Sequence, residues 1–128
     1  MSEGLSPDVR RFLVEHVDSI AQLEILGLLS AEPETARTAV AVARVIGVDP
    51  AWAATELGRL VARGFVAPAT NGSDPAYRFA PTHPALGETV ERVLQTFRER
   101  RVTVVDLVAN KPSPHVRGFA DAFRWRKD

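Results

Sequence analysis

Between Asp49 and Phe79 the apolar period of the chain switches from helical to extended, and this switch limits the possible folds more than any other feature. Asp49-Pro50 is a helix start: an N-cap residue followed by proline at the first helical position, where its missing N–H costs nothing. From there Ala53, Leu57, Leu60, Val61 and Gly64 recur at helical spacing and form one inward face. The helix is expected to end at Arg63-Gly64. Phe65-Val66-Ala67 and Ala76-Tyr77-Arg78-Phe79 then read as two short strands. Asn71-Gly72 between them is a strong hairpin signal, because both residue types tolerate positive φ. Asn71-Gly72-Ser73 also matches a glycosylation sequon, which the turn explains more simply.

Upstream, the sequence predicts three more helices. Ser6-Pro7-Asp8 opens the first, with Val9, Phe12, Leu13 and Val17 as its apolar stripe. Asp18 or Ser19 caps the second. Its Ile20, Leu23, Ile25, Leu26, Leu28 and Leu29 make it apolar nearly all round, and so central. Arg37 or Thr38 opens the third, and Gly47 closes it as a left-handed cap. The short interval from Ile46 to Asp49 suits the turn of a helix-turn-helix.

Downstream of Pro84, Leu86, Val90, Val93, Leu94, Phe97, Val104, Leu107 and Val108 repeat at helical spacing. Arg100-Arg101 interrupts the stripe, and Val102-Thr103-Val104-Val105 is β-branched enough for a strand. The spacing resumes on both sides, which favours one long helix over about 85–110. Lys111-Pro112-Ser113-Pro114 stops it, and a short terminal helix follows at about 114–126. The expected architecture is a single winged-helix domain over 1–128. It is mainly α with a small two-stranded β-hairpin wing, and its core lies in 20–82.

Helix, helix, helix, hairpin, long helix is the order of a winged helix-turn-helix, and the chain resembles MarR-like and PadR-like bacterial transcriptional regulators. Leu57, Leu60, Gly64, Phe65 and Val66, then the turn, then Tyr77, Phe79 and Thr82 carry the resemblance, over roughly residues 20 to 82. It implies a DNA-binding regulator that reads the major groove with the helix at about 50–63, as a homodimer on double-stranded DNA.

The outward face of that helix holds Trp52, Thr55, Arg59, Ala62 and Arg63. Arginine can meet guanine edges or phosphates, and threonine can contact a base or a thymine methyl. Ala51, Ala54, Ala62 and Gly58 would let the helix approach closely, while Glu56 on the flank would repel phosphate. Arg63 and Arg78 are candidates for phosphate, joined by Arg37, Thr38 and Arg44 from the preceding helix. The wing tip, Asn71-Gly72-Ser73-Asp74, carries an acid and no base. A plainer reading stays open beside this one: Arg59, Arg63 and Arg78 as solvated surface charges, and Trp52 packed on a neighbouring helix.

The long helix has two apolar stripes: Leu86, Val90, Val93, Phe97, Val104 and Leu107, and then Leu94, Val105 and Val108. One side covers the core; the second either meets a two-fold copy or is covered by the chain itself. In the tail, Phe119 and Phe123 are expected to dock. Trp125 beside Arg117, Arg124, Arg126 and Lys127 forms either a partner surface or a solvated outer face.

Charge sharpens the alternatives. Sixteen basic and sixteen acidic residues give zero net charge, which argues against strong non-specific nucleic-acid binding. The balance is uneven, with nine basic against six acidic residues in 82–128. A winged-helix module that binds protein and not DNA is therefore the second functional reading. Nothing suggests an enzyme or a cofactor. His16, His83 and His115 fall in no metal-ligand pattern, there is no cysteine, and no phosphate loop or nucleophile elbow is present. No signal peptide or membrane span is expected, and the expected location is the cytoplasm.

Overall fold

The structure is a computed structural model, and it describes residues 5–110. Its elements are α1 (Pro7–His16), α2 (Ile20–Ala31), α3 (Ala39–Ile46), α4 (Pro50–Ala62), β1 (Val66–Asn71), β2 (Asp74–Phe79), α5 (Pro84–Glu99) and α6 (Arg101–Asn110). This is a winged helix-turn-helix, with α3 and α4 as the paired helices and the β1–β2 hairpin as the wing.

Local chemistry sets most boundaries. The Ser19 and Thr38 hydroxyls accept from the N–H of Gln22 and Ala41, capping α2 and α3. Gly47, at φ 86°, donates its N–H to the Ala43 carbonyl and ends α3. The Asp49 carboxylate accepts from the N–H groups of Ala51 and Trp52, and Pro50 follows it. At α1 the Ser6 hydroxyl donates to Asp8 instead of capping the backbone.

Helix α2 occupies the centre, with Leu23, Ile25, Leu26 and Leu29 buried. Around it pack Val9, Phe12 and Leu13 of α1, Leu57 and Leu60 of α4, and Phe65 and Val66 at the start of the wing. Each such side chain removed from water contributes roughly 1.5–3 kcal/mol before the entropy cost of ordering it.

The strands run longer than the sequence predicts, pairing from Val66↔Phe79 to Asn71↔Asp74. Gly72 and Ser73 therefore form the loop. Gly72, at φ 66°, takes the left-handed position, and Asn71 is the last strand residue. The added length includes Pro68 and Pro75, and pairing geometry explains their tolerance. Tyr77 exchanges both backbone hydrogen bonds with Arg37, so its N–H points away from β1. Pro75, two residues earlier, has its nitrogen on the same side, and Pro68 stands opposite Tyr77. Neither proline sits where the hairpin needs a donor.

The expected long helix over 85–110 is two helices. Arg100 leaves the helical region at φ −133°, ψ 55°. Its N–H closes α5 on the Thr96 carbonyl, and its carbonyl accepts from Val104 to open α6. The break turns α6 back onto α1 and α2, where Val104 and Val108 become buried. A straight helix would carry them away from that core.

Of the residues expected at a dimer interface, Val90, Val93, Phe97 and Val104 lie in the core of the single chain, with Leu86 half-buried against it. The expected second apolar stripe is also consumed, since Leu94 and Val108 are buried and Val105 is half-buried. The terminal helix expected at 114–126, with Phe119, Phe123 and Trp125, lies outside the described residues.

Candidate nucleic-acid interface

Helix α4 buries Ala53, Glu56, Leu57 and Leu60. Its exposed residues are Pro50, Ala51, Ala54, Thr55, Gly58, Arg59 and Ala62. Apart from Arg59, nothing on this outward face is larger than threonine, so another surface can come close to the helix backbone. The Thr55 hydroxyl donates to the Ala51 carbonyl, which leaves its oxygen free to accept.

The structure sorts the other expected contact residues into two groups. Arg44 is exposed on α3 and shares a notch of about 580 Å³ with Thr38, Val40, Ala54, Pro75 and Tyr77. This notch brings α3, α4 and β2 to one surface. Thr38 is half-buried and its hydroxyl oxygen is engaged as the α3 cap. Asp74 also lines the notch, at the wing tip. Arg78 is exposed but alternates with Tyr77 along β2, so it projects from the opposite face of the wing. Trp52 is half-buried and packs against the edge of the core.

Arg59 and Arg63 gather on the other flank of α4. Arg63 donates to the His16 carbonyl at 2.6 Å and to the Asp18 carboxylate at 3.1 Å. Both ends of its guanidinium thus tie the end of α4 to the junction between α1 and α2. Arg59 stands 3.6 Å from Glu56 and 4.0 Å from Asp18.

Glu56 corrects the sequence expectation in its exposure, because it is buried beneath Arg59 on this flank. Its carboxylate accepts a hydrogen bond from the Gln22 side-chain amide at 2.8 Å, and Gln22 accepts in turn from the Asp18 N–H at 3.0 Å. Asp18, Gln22 and Glu56 were not among the expected site residues. The available signal was Gln22 itself, a glutamine in the helix whose apolar pattern marked it as central.

Among the described residues, no group of three or more His, Cys, Asp or Glu side chains is placed to hold a metal ion. Nor is any described helix long and apolar enough to cross a membrane.

The sequence matches no protein-family model, and no curated protein matches it. Solved structures do resemble it. The oxidized form of MarR from E. coli superposes with a TM-score of 0.54 at 17% identity, covering 93% of this chain and 82% of that one. MepR, a transcription regulator of the Staphylococcus aureus multidrug efflux pump MepA, gives 0.55 at 14% identity, covering 94% and 87%. The PcaV transcriptional regulator from Streptomyces coelicolor, in complex with its natural ligand, gives 0.53 at 22% identity, covering 94% and 82%. At these identities the likeness is one of fold.

Proposed function

We propose that this chain is a DNA-binding transcriptional regulator that places α4 in the major groove and acts as a homodimer. One observation carries the proposal: the outward face of α4 is built from Ala51, Ala54, Thr55, Gly58 and Ala62, with a single exposed guanidinium, Arg59, among them. A helix so trimmed can seat deeply in a groove about 12 Å wide. The fold likeness to several proteins described as transcription regulators supports the same role. In this reading Thr55 and Arg59 meet base edges, while Arg44 and Arg78 meet phosphate on either side. Arg63 is dropped from the contact set, since its guanidinium is spent on His16 and Asp18. Trp52 and Thr38 act by holding α4 and α3 in place. A two-fold copy would set a second α4 one helical turn along the duplex. Such a regulator works where the DNA is, in the cytoplasm of a bacterial cell.

The test is fluorescence anisotropy with random-sequence duplex at low and near-physiological salt, followed by selection of a preferred site. Binding is expected at low salt and should weaken steeply as salt rises. On the selected site, Arg59→Ala is expected to cost about 1–3 kcal/mol of affinity. Full affinity in Arg59→Ala would contradict the groove assignment.

A second reading, a winged-helix module that binds protein and not DNA, is favoured by the apolar side of the same surface. Val40 and Val45 are exposed on α3, Val40 lines the notch with Pro75 and Tyr77, and the wing tip is acidic. This reading expects no duplex affinity even at low salt.

A further inference from the structure

Four charged side chains from two distant parts of the sequence meet beside α4. Asp18 comes from the link between α1 and α2; Glu56, Arg59 and Arg63 come from α4 and its C-cap. Two carboxylates face two guanidiniums, so the group balances its own charge.

The members are held unequally. Glu56 is fixed by Gln22, and the Glu56 side chain is only 6% exposed. Asp18 is 18% exposed and is fixed by Arg63 at 3.1 Å. Arg59 is the loose member, 54% exposed. It lies 3.6 Å from one carboxylate and 4.0 Å from the other, beyond the usual hydrogen-bond distance in both cases. Its charge is matched, but its donors remain available.

Resting on the DNA-binding reading above, we infer that Asp18 and Glu56 serve as intramolecular counter-anions for Arg59 and set how tightly α4 holds DNA of any sequence. A phosphate that approaches Arg59 competes with two carboxylates already in place. Phosphate attraction alone then gains little, and binding depends more on contacts that only the correct bases supply. The zero net charge of the chain fits the same design, since no surplus of positive charge offsets the local restraint.

The test compares wild type with Asp18→Asn and Glu56→Gln, which keep side-chain shape and leave an acceptor for Arg63 and for Gln22 respectively. Each protein is checked for a cooperative thermal melt and then titrated onto random-sequence duplex over a salt series. Both variants are expected to bind several-fold more tightly than wild type. The slope of log affinity against log salt should steepen by up to about 0.9, the value for one added phosphate contact. Adding Arg59→Ala to either variant should abolish the gain. Unchanged slopes in the folded variants would overturn the inference, and so would a gain that survives Arg59→Ala. If wild type binds nothing while both variants bind through Arg59, the counter-anion role stands and the proposed function fails. If no protein binds, both fail.

Discussion

Gly64 joins α4 to the wing, and two independent constraints hold it to glycine. Its φ of 87° lies in the left-handed region, and a Cβ built there would meet the Thr82 hydroxyl at 2.8 Å. The Thr82 N–H donates to the Gly64 carbonyl, which draws the chain after β2 against the end of α4. Alanine would have to strain the backbone and push Thr82 aside together. Gly64→Ala is expected to lower unfolding stability by roughly 1–3 kcal/mol, read from denaturant midpoints at constant slope. An unchanged midpoint would mean that the join is looser than the geometry indicates. Gly64 was legible in the sequence as the end of α4, because a helix stop is local, whereas its contact with Thr82 was not. Glu56 was not: its position relative to the helical stripe does not reveal Gln22, which approaches it from 34 residues away.

The same division separates the elements. The starts of α3 and α4 and the end of α3 were readable because Thr38, Asp49-Pro50 and Gly47 act on backbone groups within a few residues. The break at Arg100 and the length of the strands were not, because both follow from tertiary packing. Val104 and Val108 reach the core only if the helix turns, and Pro75 is tolerated in β2 because its nitrogen faces away from β1, toward the edge where Tyr77 bonds Arg37. Contacts between elements also have a readable pH dependence. Asp8 on α1 is held to a pKa of about 2, first by the Ser6 hydroxyl and then by Arg92 of α5. A carboxyl depressed in the folded state adds stability above its ordinary range, near 3.8, and loses that contribution as pH falls toward 2. In melting curves, wild type should exceed Asp8→Asn in Tm above about pH 4, with the gap closing as pH falls to about 2. A gap that stays constant across that window would show that Asp8 acts by shape and not by charge.

For the molecule as a whole, the described helices spend nearly all their large apolar side chains on one core. The exceptions among the described residues are Val40, Val45 and Val102. What remains outside is a surface of small residues on α4, flanked by the notch that holds Arg44 and by the balanced cluster that holds Arg59. In the proposed function this surface meets duplex DNA. The most direct measurement is an amide NMR titration of the labelled protein with a short random-sequence duplex at low salt. Shifts are expected to concentrate at Ala51, Ala54, Thr55, Gly58, Arg59 and Ala62, with smaller ones at Arg44 and Arg78, all reversed by added salt. No shifts, or shifts confined to residues away from α3, α4 and the wing, would contradict the proposed function.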